Sequence, residues 1–247
     1  MSARIELNHR IHVLTRKEEF DAERARGKVV VVLDILFATT TIVAALAEGA
    51  TEVLPVADEA AARAEGARLE PGSFVLSGEL LAETLPGFAP PVPLGLLAHG
   101  VRGKTLVYST TNGTVAVLQS ASAQHVYCGS LLNARAVAER IATEHARDTI
   151  LILCSGSGGN FNFEDFYGAG CLVDRLASAL GGETDLSDAA RAALALFREA
   201  RVPNALLECR VGRMMAKRGM SHEVDFACRF DAYPIVPRLE GNRLRVA

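Results

Sequence analysis

Asp34 closes a run of four valines and a leucine, and Thr39, Thr40 and Thr41 begin five residues later. A carboxylate at such an exit holds Mg²⁺, acts as a nucleophile or caps the following turn. Hydroxyls and backbone N–H groups at a helix start suit a bound anion such as phosphate, or cap the helix. The stretch "STTNGT", residues 109–114, repeats the theme with Thr111, Asn112, Gly113 and Thr114. Its Asn-Gly supports a tight turn with φ above zero. "CSGSGGNFNFED", residues 154–165, joins a glycine-rich loop containing Ser155 and Gly156 to the carboxylates Glu164 and Asp165. Those two favour a helix dipole, hold a metal or activate water. Glu79, in "SGEL", is either a solvated loop residue or a further acid. "GSLLN", residues 129–133, adds Ser130 and Asn133.

These groups need a scaffold that brings them together. "KVVVVLD", residues 28–34, reads as a strand by its β-branched content, and "TTTIVAALAEG" as a helix ending at Gly49. "TEVLPV", "SFVLSGE", "KTLVYS", "HVYCG" and "TILILC" read as further strands, most followed by a helical pattern. Ser130 is the expected N-cap of the helix after "HVYCG". Strands apolar on every side, alternating with helices, predict a mostly parallel or mixed sheet covered on both faces, a three-layer α/β/α architecture. "RIELNHRIHVL" reads as an edge strand, with His9 and His12 on its surface. "SDAARAALALFREA" and "NALLECRVGRMMAKRG" each read as one helix, the second a core helix or partner surface. Residues 223–247 read as extended segments and a tail. No linker composition forces a boundary, so residues 1–247 are expected to form a single α/β domain. In an open α/β sheet, ligands bind outside the carboxyl ends of the strands, where all these polar turns lie.

Composition excludes several classes. The 247 residues are 49% hydrophobic and 22% charged, enough for a substantial core. A net charge of −3 gives no global pull towards nucleic acid or an anionic membrane. No apolar run reaches the ~18 residues of a membrane helix, and the first residues lack a secretory core. Five cysteines without a CxxC disfavour both a disulfide framework and structural zinc, so a cytoplasmic location is expected. Asn160 stands where a tyrosine-phosphatase loop at Cys154 needs arginine, and Leu36 where haloacid-dehalogenase phosphatases carry a second aspartate. GxSxG and GxxxxGK[ST] are both lacking.

In order along nearly the whole chain, "LDILFATTTIVAAL", "SGE", "STTNGT", "GSLLNA", "CSGSGGNFNFED", "LSDAA" and "FACRFDAYPIVP" make the sequence resemble the 2-phosphosulfolactate phosphatase family. The resemblance implies a three-layer α/β/α protein. It also implies Mg²⁺-dependent hydrolysis of 2-phosphosulfolactate to 3-sulfolactate and phosphate, on a route to coenzyme M. The chain departs from the family's DVLRATTT at Phe37 and from its GERGG at Leu80, both arginine positions. "GFAPPVPLG", residues 87–95, lacks the Asp and Asn of the family's GFDLGNSP.

The leading expectation is a Mg²⁺-dependent phosphatase of a small phosphorylated acid. Asp34, Glu79 and Asp165 are its catalytic candidates, and Asp34, Glu79 and Glu164 its metal ligands. Thr39, Thr40, Thr41, Thr111, Asn112, Gly113, Thr114, Ser130, Asn133, Ser155 and Gly156 are the substrate-binding candidates. The alternatives are a homologue that binds a small anion without turnover and a phosphatase of a non-sulfonated substrate. A homodimer is the expected assembly.

Overall fold

The computed structural model describes residues 7–181 and 184–247. Its strands are β1 (Ile11–Leu14), β2 (Val29–Leu33), β3 (Glu52–Val56), β4 (Phe74–Leu80), β5 (Glu83–Thr84), β6 (Thr105–Ser109), β7 (His125–Gly129), β8 (Ile150–Cys154), β9 (Pro237–Glu240) and β10 (Arg243–Val246). Between them lie α1 (Ala22–Ala25), α2 (Ala38–Ala47), α3 (Glu59–Gly66), α4 (Pro93–His99), α5 (Gly113–Gln119) and α6 (Ala134–Glu144). The helices α7 (Phe163–Ala179), α8 (Asp188–Glu199), α9 (Asn204–Glu208), α10 (Arg210–Lys217) and α11 (Ser221–Ala227) follow β8. No helix among the described residues is long and apolar enough to cross a membrane.

The sheet order is β1-β8-β2-β7-β9-β10-β3-β6-β4-β5, and the fold is α/β as expected. Strands β1, β8, β2 and β7 run parallel, as do β3, β6 and β4. Side-chain alternation along β2 explains its unbroken valine run. Val29, Val31 and Leu33 join one core with α6, α7 and α8. Val30 and Val32 join a second with α2 and α5. Both faces are therefore covered, and neither tolerates a polar residue. The second core also takes Val53, Val75, Leu106 and Tyr108 from the other parallel block, so the two blocks share it.

The extended tail of the sequence reading is a different object. Residues 221–227 form α11, and the last residues form the β9–β10 hairpin, wedged between the blocks. The hairpin pairs antiparallel on both sides, at Tyr127–Arg238 and Leu244–Val53. Three antiparallel steps make the blocks run in opposite senses. Glu52 anchors the hairpin, accepting from Arg243 and, at 2.7 Å, from Arg245. Helix α2 packs on strands of both blocks, and residues from the carboxyl ends of both line one cavity.

Two further local readings differ. "NALLECRVGRMMAKRG" is broken at Cys209, which is extended (ψ 168°) and caps α10 by accepting the Gly212 N–H on its sulfur. His12 lies on edge strand β1 but is only 1% exposed, with its Nε2 against the His9 carbonyl. All five cysteines are thiols.

Candidate active site

The turn after β2 places Asp34. Its N–H donates to the Thr39 hydroxyl at 2.8 Å, and that hydroxyl donates to the Asp34 carbonyl at 3.1 Å. Thr40 donates to the Ile35 carbonyl at 2.6 Å, and Thr41 to the Phe37 carbonyl at 2.7 Å. The three hydroxyls expected to meet phosphate are thus fully buried and bonded to the carbonyls of their own turn. The helix cap comes from Asp34 itself, whose carboxylate accepts from the N–H groups of Phe37 and Ala38. The same carboxylate lines a cavity, so Asp34 serves both purposes.

The cavity holds about 280 Å³ and draws its walls from both blocks. Asp34, Glu79, Thr111, Asn112, Gly156 and Glu164 all line it. Glu79 is the last but one residue of β4 and is only 7% exposed. It accepts from the Thr111 N–H at 2.6 Å, the Thr111 hydroxyl at 2.9 Å and the Ala82 N–H at 2.6 Å. That grip folds the β4–β5 turn over the cavity, with Leu81 and Ala82 at φ +53° and +64° although neither is glycine. Asn112 is held through its Oδ1 by the ammonium of buried Lys17 at 2.8 Å. This leaves the Asn112 amide NH₂ as a donor at the cavity wall. Gly113 is where the two blocks touch. A Cβ there would lie 2.3 Å from the Ala38 Cβ and 2.4 Å from Asp34 Oδ2.

Burial first, then the charges of Glu79 and Glu164, push the Asp34 acid up to about 7, against its two backbone bonds. Burial also raises Glu164, while its own N–H, the Cys209 thiol and the charge of Arg210 pull it back. Asp165 stands behind the cavity, not in its lining. It accepts from the Ile35 N–H at 2.9 Å and the Gly156 N–H at 3.1 Å, tying the turn after β2 to the glycine-rich loop. Burial, with Asp34 and Glu164 adding, pushes its acid well up. Its position is that of a staple, at variance with the catalytic expectation.

Other expected binders also lie elsewhere. The Thr114 hydroxyl is taken up by Thr110 and the Val56 carbonyl. Ser155 is fully buried. Ser130 and Asn133 bond each other at 2.9 and 3.2 Å, and Asn133 Nδ2 donates to the Ile235 carbonyl at 3.0 Å. Asn133, not Ser130, is the residue at the N-cap of α6.

Sequence reasoning missed Arg210, Val211 and Met214 on α10, and Asn162, all in the lining. The only signal for the three on α10 was a basic, apolar stretch with no periodicity break to reveal the kink at Cys209, whereas Asn162 lies in the glycine-rich stretch already singled out.

No group of three or more His, Cys, Asp or Glu among the described residues is close enough to form a preformed metal cage. Mg²⁺ asks for less, one or two carboxylates with waters and substrate phosphate. The cavity offers oxygen donors of that kind, and the crowding of Asp34 with Glu79 and Glu164 is the charge excess a dication relieves. The donor set therefore fits the ion.

The 2-phosphosulpholactate phosphatase family profile matches residues 14–242. A probable 2-phosphosulfolactate phosphatase of Caldanaerobacter subterraneus subsp. tengcongensis is 34% identical over 227 residues, 90% of this chain and 92% of that protein. One from Deinococcus radiodurans is 36% identical, covering 85% of this chain and 87% of its own length. One from Thermotoga petrophila is also 36% identical, over 86% and 89%. With Asp34, Glu79 and Glu164 around one cavity and this likeness across its length, the chain belongs to the 2-phosphosulfolactate phosphatase family.

Proposed function

We propose that residues 1–247 act as one domain, a Mg²⁺-dependent phosphatase of a small phosphorylated acid. The reaction tested first is 2-phosphosulfolactate to 3-sulfolactate and phosphate. The observation that carries the reading is the meeting of Asp34 after β2, Glu79 near the end of β4 and Glu164 in the first turn of α7 at one cavity. Asp34, with Glu79 or Glu164, would hold Mg²⁺. The ion, when bound, supplies positive charge against the oxygens of the transferring phosphoryl group. Asn112 orients the phosphate through its amide, and Lys17 fixes that amide. The Glu79–Thr111 bonds keep the β4–β5 turn over the site and limit water. Asp165 fixes the two loops that carry the reacting groups.

A second reading is a phosphatase of a non-sulfonated acid. Phe37 lines the cavity at one family arginine position, and Leu80, at the other, is 60% exposed. Phosphate release from 2-phosphosulfolactate and from its non-sulfonated analogue 2-phospholactate, with Mg²⁺ and with a chelator, tests both readings. Chelator-sensitive release from either supports a phosphatase, and the ratio selects the substrate. Saturable binding of both without turnover would establish anion binding instead. We further propose a cytoplasmic homodimer, which light scattering of the purified chain tests.

A further inference from the structure

We infer that Arg210 is the specificity anchor of the cavity, and that it holds a single acidic group of the substrate beside a short apolar body. This rests on the phosphatase reading above and extends it to the end of the substrate away from the phosphate. Arg210 is the one cation lining the cavity among the described residues. Its Nη2 donates to Asn162 Oδ1 at 2.8 Å, which fixes the guanidinium plane. No carboxylate among the described residues makes a salt bridge with it, and its charge reaches Glu164 only through space. A guanidinium has five N–H donors in a rigid fork. One is committed here, and the others suit a carboxylate or sulfonate bound two-pronged.

The surroundings limit what else the substrate carries. Met214 stands one helical turn after Arg210, on the same face of α10, and Val211 adjoins it. With Phe37 at the start of α2, these give the cavity an uncharged flank. The acidic residues repel any anion not shielded by a bound cation. One acidic function at Arg210, a phosphate at the carboxylate pole and a neutral stem therefore match the lining. A second acidic function finds no second cation there among the described residues.

The test compares 2-phospholactate with its carboxamide, which keeps the shape and removes one charge. With Mg²⁺, the native chain is expected to show a KM about tenfold lower for the acid, the size of one charged hydrogen-bonded contact. Arg210→Ala should raise the KM of the acid about tenfold more than that of the amide, with kcat moved less. Arg210→Lys should restore part of the difference, since an ammonium lacks the fork. Should Arg210→Ala fail to give a cooperative thermal melt, Arg210→Lys carries the same readout. Turnover of both esters with the acid-to-amide ratio unchanged in the variants overturns the role of Arg210 and leaves the phosphatase reading intact. No phosphate from these esters or from 2-phosphosulfolactate overturns that reading, and the inference with it.

Discussion

The turns after β6 and β7 both run from a hydroxyl residue to an asparagine and have opposite fates. Each leaves a parallel strand and reaches an asparagine at a helix start, at Asn112 and Asn133. After β6, Asn112 faces the cavity with one side-chain partner, Lys17. After β7, Asn133 is fully buried, bonding Ser130, the Cys128 carbonyl and the Ile235 carbonyl. The difference lies a hundred residues away. Asp231 and Tyr233 donate to the carbonyls of Leu131 and Leu132 at 2.9 and 2.8 Å, so the C-terminal segment seals that tip. A polar strand end is thus a site only where no other part of the chain satisfies it.

The largest effect that sharpens this contrast belongs to Asp34, the acid of the open rim. Asp34→Asn should lower kcat/KM about a thousandfold, roughly 4 kcal/mol of transition-state stabilisation, while a thermal melt shows the fold retained. Metal binding comes next. Mg²⁺ at about 100 times its Kd should stabilise the protein by about 2.7 kcal/mol, read as a shift in Tm. That shift should be larger at pH 8 than at pH 5. The Asp34 acid is raised to about 7 in the folded chain, from near 4 when unfolded, so metal-free stability falls as pH rises through that window. Mg²⁺ binds the ionised form and reverses the loss. Glu164 and Asp165, also raised, act in the same direction.

Asn133→Ala should destabilise by about 1–3 kcal/mol, because it leaves buried groups unpaired, with kcat of the folded fraction unchanged. Asn112→Ala should do the reverse, raising KM about fivefold with Tm shifted little, the loss of one hydrogen bond of about 1 kcal/mol. If the two variants behaved alike, the distinction between open and sealed tips would fail. The smallest effect is Leu81→Gly, which relieves a left-handed residue at φ +53° by up to about 1 kcal/mol, measured by denaturant unfolding.

The parts of this fold set by local pattern were legible. The β-branched run of β2 announced a strand buried on both faces, and the polar tips announced a rim. What escaped was set by distant partners. The β9–β10 strands, "PRLE" and "RLRV", are short and charged. They become central strands because Glu52 of β3 accepts Arg243 and Arg245. His12 is buried because neighbouring elements cover an edge strand that looks exposed in isolation. Thr39, Thr40 and Thr41 suggested an anion cradle, yet side-chain direction within one helical turn sent each to a carbonyl. Arg210 reaches the cavity only because the chain breaks at Cys209, and a single residue in an otherwise helical stretch leaves no periodic trace.

The most direct measurement is a crystal of the chain soaked in Mn²⁺, as an anomalous stand-in for Mg²⁺, together with phosphate. The account predicts a metal peak coordinated by Asp34 and by Glu79 or Glu164, with phosphate between it and Asn112. A metal bound away from Asp34, or phosphate seated at the Ser130–Asn133 tip, would contradict it.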